Sequence, residues 1–194
     1  MAERRSGAAD LPLFHWGDAL RVARAQRRRL RRRAVALGCG IAAMAMTIIL
    51  PPRPVLVWNA SASMPVGLYR ISSADTVAVG DAVLARVPAS LRALAARRHY
   101  LPSTVPLVKR VAAGPGDDIC AFGRAIWING RRAAERRAAD RAGHTMPWWS
   151  GCMRLRGHAL FLLGGDTPES FDGRYFGPSD ARDIIGKATL LWRR

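Results

Sequence analysis

Lysine is nearly missing from this chain: of 31 Lys and Arg residues only Lys109 and Lys187 are lysines. Genomic base composition can produce such an arginine bias, but it has a chemical consequence. Arginine keeps its proton above about pH 12, so any role for a neutral side-chain amine falls on two positions. Acids are also few, 14 against 31 basic residues, and the formal net charge is +17. That charge favours anionic lipid headgroups or nucleic acid. No RRM, zinc-finger or helix-turn-helix pattern accompanies it, so nucleic acid is not an expected partner. The four histidines, His15, His99, His144 and His158, stand in no nucleophile elbow and no HExxH pattern. A Ser-His-Asp triad is therefore unsupported. The three cysteines form no CxxC or Cys/His spacing, so neither a metal nor a cofactor is expected. There is no internal repeat and no low-complexity tail.

One apolar run is long. Residues 27–33 read RRRLRRR, and the 17 residues from Ala34 to Leu50 carry no charge. As a helix that run spans about 26 Å, slightly short of a ~30 Å hydrocarbon core. Arg33 can snorkel at one end, Pro51 and Pro52 end the helix, and Trp58 suits the interface beyond. Six arginines on the N-terminal flank predict a cytoplasmic N-terminus, with residues 51–194 across the membrane. Two other readings compete. Gly38, Gly40 and the abrupt charge step suit a span better than a buried soluble helix. A cleavable secretory leader would be cut after Ala60-Ser61-Ala62. That site lies twelve residues past Leu50, beyond three prolines and Arg53, and the basic leader is 33 residues long. The expected organisation is a cytoplasmic Arg-rich leader (1–33), an uncleaved transmembrane anchor (34–50) and an exported domain (51–194).

Cys39 falls inside the span, which leaves Cys120 and Cys152 in the exported part. An even pair outside the cytosol reads as a disulfide, with two buried free thiols as the alternative. Closing that loop of about 30 residues would be worth roughly 3 kcal/mol.

The exported part is a series of short apolar runs separated by turn residues, which predicts a mostly-β sandwich or barrel. Strands are expected at Gly67–Ile71, Val77–Val79, Ala82–Val87, Pro106–Ala113, His158–Leu163 and Ile184–Trp192. Ile119–Ile128 reads as a hairpin turning at Gly123-Arg124, with a second turn at Asn129-Gly130. Ser90–His99 reads as a helix, and the charged stretch Arg131–Met146 as a solvated helix or loop.

Lys109 is the residue that stands out. It is the only lysine between the span and the last strand, among Leu107, Val108, Val111 and Ala112. A buried amine with a lowered pKa can serve as a general base for a serine. A lysine at a strand edge with its amine in water is equally compatible with these residues.

Three motifs follow the anchor in order: Ser63-Met64-Pro65, then Lys109-Arg110-Val111-Ala112-Ala113-Gly114-Pro115-Gly116-Asp117, then Gly165-Asp166 leading to Ser170-Phe171-Asp172-Gly173-Arg174. Over residues 59–192 the chain resembles the type I signal peptidase family of membrane-anchored Ser/Lys endopeptidases. It is most similar to the conjugative-transfer branch, the TraF-type propilin peptidases, which share Ser-Met-Pro followed by Gly-Leu-Tyr.

The resemblance implies a signal-peptidase-like β domain held in the bacterial inner membrane and facing the periplasm. It implies Ser63 as nucleophile and Lys109 as general base. The Ser63 N–H and the Ser61 hydroxyl would hold the oxyanion. Ser170 would orient the lysine, Asp172 and Arg174 would brace the site, and Met64 and Pro65 would fix the turn that presents Ser63. The implied substrate is an exported precursor cut after small residues, a propilin first and a general secretory precursor second. Membrane lipid is the other implied partner. A catalytically idle assembly module of a secretion system is the reading from a different class. Two positions depart from the family pattern: Gly173 stands where serine is usual, and Thr167 where asparagine is usual.

Overall fold

A computed structural model describes residues 12–49, 54–165 and 168–194. Residues 1–11 of the leader, the expected helix end at Leu50 to Arg53, and Asp166 and Thr167 of the third motif lie outside the described residues. The chain divides into two units, Met1–Pro52 and Arg53–Arg194.

In the first unit, a single helix, α1 (Pro12–Ile49), runs without interruption from the arginine-rich leader into the apolar run. Arginine, alanine and leucine are all good helix formers, so nothing in the charge step breaks the backbone pattern. At about 1.5 Å per residue the 38 residues reach roughly 57 Å. Ala19–Ile49 is long and apolar enough to cross a membrane.

The second unit is built on two antiparallel sheets. The larger has the strand order β1 (Leu56–Asn59), β2 (Gly67–Ser72), β10 (Ile184–Arg193), β3 (Ala82–Ala85), β4 (Leu107–Ala113), β9 (Phe161–Leu163). The smaller has the order β7 (Arg131–Glu135), β6 (Ala125–Ile128), β5 (Asp118–Phe122), β8 (Gly151–Arg154). A helix, α2 (Ala89–Arg97), and a single turn, α3 (Gly173–Phe176), complete the unit.

Alternation along the strands explains the core. Leu84 of β3 and Val108 of β4 pack with Met64, Tyr69 and Ala188. Val83 and Ala85, on either side of Leu84, pack with Val111, Leu162 and Ile184 in a second cluster. The larger sheet is thus apolar on both faces, as successive side chains in a strand demand. The third cluster joins Ile119, Ala121 and Ile126 of the smaller sheet to Phe161, Leu163, Ala113 and Leu155. Burying a side chain such as Phe161 or Ile126 contributes about 1.5–3 kcal/mol.

Two expectations need correcting. Val77–Val79 is not a strand. Ala74–Thr76 is a turn of 3-10 helix, and the Asp81 carboxylate accepts the Ala78 N–H at 2.9 Å, which curls the chain ahead of β3. Arg131–Met146 is neither a helix nor wholly solvated. Asn129 and Gly130, at φ +49° and +75°, form a tight hairpin turn, and Arg131–Glu135 returns as β7 against β6. Its charged side chains face water, which hid the strand. Arg136, directly after it, is fully buried. Cys120 and Cys152 stand opposite each other on β5 and β8 and are joined as a disulfide.

Candidate active site

Three segments far apart in the chain meet at one groove of about 790 Å³. The first is the turn after β1, where Asn59 is 7% exposed. Its Nδ2 lies within hydrogen-bond reach of the carbonyls of Ser61 (2.9 Å), Met64 (3.2 Å) and Pro65 (3.0 Å). Its Oδ1 accepts the Ser61 N–H at 3.2 Å. The Tyr69 hydroxyl donates to the Pro65 carbonyl at 2.9 Å, and Met64 is anchored in the core beside Leu84 and Val108. These bonds curl the turn so that Ser63 faces inward.

The second segment is β4, where Lys109 stands opposite Val83 and is 4% exposed. Its Nζ donates to Ser63 Oγ at 2.8 Å and to Ser170 Oγ at 2.6 Å. Burial pushes the Lys109 amine down to about 8, against the upward pull of Asp172 and with a further lowering from Arg174. An amine so placed is partly neutral near neutral pH and can accept the proton of a neighbouring hydroxyl.

The third segment runs through α3. Asp172, fully buried, pairs with Arg174 Nε at 3.2 Å and accepts the Gly164 N–H at 2.7 Å. Arg174 donates to the carbonyls of Gly165 (2.8 Å), Gly164 (3.2 Å) and Glu135 (3.3 Å). The pair therefore grips the Gly164-Gly165 backbone, and the Gly165 N–H donates to the Ser63 carbonyl. Gly173 has a steric reason. A Cβ there would meet the Leu162 carbonyl at 2.7 Å and the Phe161 ring at 2.8 Å.

Ser61 Oγ lies 3.0 Å from Ser63 Oγ and accepts the Ser63 N–H at 3.4 Å. The far wall of the groove includes Tyr100, Met146 and Phe171. The Tyr100 hydroxyl donates to Asp140 and, with His144, holds that carboxylate well below its usual range. Arg137 and Arg141 clamp Glu169 at 3.0 and 2.7 Å, so the segment after β7 closes one side of the groove.

All of Ser61, Ser63, Met64, Pro65, Lys109, Ser170, Asp172 and Arg174 thus gather at one place. Cys120 and Cys152 do not; they staple the smaller sheet. Sequence reasoning passed over Asn59 and Arg136. The one signal for Asn59 was an amide residue directly before a turn of small residues. Asn59→Ala is expected to lower stability by about 1–3 kcal/mol through the carbonyls it leaves unpaired. It should also lower kcat about tenfold by loosening the Ser63 turn. Chemical denaturation and steady-state kinetics read the two effects; a variant with wild-type values of both would remove Asn59 from the site.

Residues 28–193 match the family described as signal peptidase, peptidase S26. Two plasmid transfer proteins TraF of Escherichia coli are 29% and 33% identical, each over 69% of this chain and 82% of the relative. A protein named "Probable conjugal transfer protein TraF" of Sinorhizobium fredii is 30% identical over 81% of this chain and 90% of its own. Among solved structures, a signal peptidase I of Enterococcus faecalis V583 aligns over 60% of this chain and 100% of its own, with 18% identity and a TM-score of 0.37. The molecule is a serine endopeptidase. More narrowly, the chain belongs to the peptidase S26 signal peptidase family.

Proposed function

We propose that the protein cuts exported precursors with a Ser63/Lys109 dyad, and that its substrate is a conjugative propilin cleaved after small residues. The observation that carries this is the buried Lys109 amine, hydrogen-bonded at once to Ser63 Oγ and Ser170 Oγ. Lys109 takes the Ser63 proton as Ser63 Oγ attacks the scissile carbonyl. It returns that proton to the leaving amine, and water then resolves the acyl-enzyme. Ser170 keeps the amine aimed at Ser63. The Ser63 N–H and the Ser61 hydroxyl, now bonded to each other, turn to the developing oxyanion; one such donor is typically worth about 3 kcal/mol. The TraF relatives favour a conjugative substrate, and the family description favours a secretory precursor as the second reading.

The membrane side of the reading rests on α1, with its arginine flank on the cytoplasmic side and the catalytic unit in the periplasm. One edge of the larger sheet supports contact with lipid. Leu56, Trp58, Leu191 and Trp192 are all exposed there, with the two indoles 5.6 Å apart.

Mass spectrometry of a pilin precursor co-expressed with the full chain tests the proposal. Wild type should yield a shortened pilin with a small residue immediately before the cut. Ser63→Ala should leave the precursor intact. Processing by Ser63→Ala would sink the dyad, and an intact pilin alongside processed secretory precursors would replace the substrate.

A further inference from the structure

Arg136 is the largest fully buried side chain among the described residues. No carboxylate pairs with it there. Its guanidinium donates instead to three backbone carbonyls: Gly123 (3.1 and 3.0 Å), Trp149 (2.7 Å) and Arg174 (3.1 Å). Its cationic face lies 3.6 Å from the Trp148 ring centroid and 5.8 Å from that of Trp149. Burying a charge without a counter-ion is unfavourable, and packed apolar residues are often the more stable solution. What a methionine or leucine could not supply is the set of donors.

One of these acceptors belongs to α3, whose Tyr175 lines the groove. Arg136 holds the Arg174 carbonyl, and the Trp149 indole N–H holds the carbonyl of the preceding Gly173 at 3.0 Å. The Arg137 N–H donates to the Tyr175 hydroxyl at 3.0 Å. Three consecutive residues of α3 are thus gripped from the segment that follows β7. From the other side, Asp172 and Arg174 grip Gly164-Gly165, which packs against Lys109, Ser170 and Ser63.

We propose that Arg136 is a positioning residue for the peptidase reaction, acting through the Arg174 carbonyl of α3, and through Trp149, to hold Asp172 and Arg174 against the Lys109 site. The inference rests on the Ser63/Lys109 reading above. The groups facing the Lys109 amine are the Ser63 and Ser170 hydroxyls, the Asp172 carboxylate and the Arg174 guanidinium; Arg110, next along β4, is exposed. Slackening α3 admits water to the amine. Because burial is the main cause of its depression, wetting raises the pH at which it deprotonates.

The test uses the full chain in detergent micelles and an internally quenched peptide with alanine at the first and third positions before the cut. Arg136→Met should lower kcat about 10- to 100-fold with KM within about twofold, and move the rising limb of the pH profile upward. Arg136→Lys keeps the charge but reaches fewer carbonyls, so it should recover part of the loss. Trp149→Phe removes the bond to Gly173, together with part of the ring that packs on Phe161, and keeps the Trp149 carbonyl that Arg136 holds. It should lower kcat by about two- to fivefold in the same direction. If Arg136→Met does not fold, these two variants decide. Folded variants with wild-type kcat and an unmoved limb, whatever their Tm, overturn the proposal. Ser63→Ala and Lys109→Ala run alongside. If they are inactive, such a result removes Arg136 alone; if they retain activity, the dyad itself fails and the positioning role falls with it.

Discussion

Lys109→Met is expected to fold and to lose kcat by about 10³-fold or more. The variant keeps the length and apolar stem of the lysine but cannot accept the Ser63 proton. Lys109→Arg should be equally inactive, since a guanidinium remains protonated above about pH 12. In the wild type, the amine deprotonates at about 8, so kcat/KM should fall tenfold for each unit of pH below that value. The same shift governs stability. An unfolded lysine holds its proton to about 10.4, whereas the folded site releases it at about 8. Between those values the unfolded chain binds more protons, so stability rises with pH across that window. The gain is about 3 kcal/mol from below 8 to above 10.4, and it is absent below 8, where both states are protonated. Lys109→Met should lack it, so the difference between the two stability curves isolates this one amine. Turnover by Lys109→Met within tenfold of wild type would end its role as base. Parallel stability curves would show that its pKa is not depressed.

Gly164→Ala is expected to lower kcat by about 10²-fold with only a modest fall in Tm. A Cβ at this position would meet Ser170 Oγ at 2.1 Å and Lys109 Nζ at 2.9 Å. Both are ends of side chains and can turn aside, whereas Ser170 Cβ, at 3.0 Å, shifts only with its backbone, so the site adjusts at a modest cost. The movement, however, breaks the 2.6 Å bond between them and pulls the amine from Ser63. A displacement of about 1 Å is enough to cost two orders of magnitude in rate. Steady-state kinetics and a thermal melt on the same sample read the two effects. Wild-type kcat would mean that the pair tolerates displacement, and a large fall in Tm with proportional loss of activity would make Gly164 a folding residue.

Most of the strand pattern was legible because it needs only alternation and turn residues. The hairpin at Gly123-Arg124 and the strands Leu107–Ala113 and Ile184–Arg193 show their apolar runs and bounding turns locally, although the partners of the two strands are remote. β7 was not legible. Arg131, Arg132 and Glu135 face solvent, so its polarity reads as a loop until β6 is there to pair with it. β1 and β8 are little buried, so they lack the buried apolar run that marks the equally short β3 and β9.

The chemistry divides along the same line. By itself the sequence determined that one lysine lay in an apolar stretch downstream of a long apolar run, and that a Ser-Met-Pro turn and a Ser-x-Asp-x-Arg run flanked it in order. These are statements about residue types, and residue types decide which proton transfers are possible. Only the tertiary structure decided that Ser63 and Ser170, 46 and 61 residues away in the chain, both lie within hydrogen-bond reach of Lys109. It alone assigned work to Asn59, Gly164 and Arg136. Each acts on backbone carbonyls, or on empty space, and every residue has the same carbonyl. A side chain's chemistry can be read along the chain, but which backbone it meets exists only after folding.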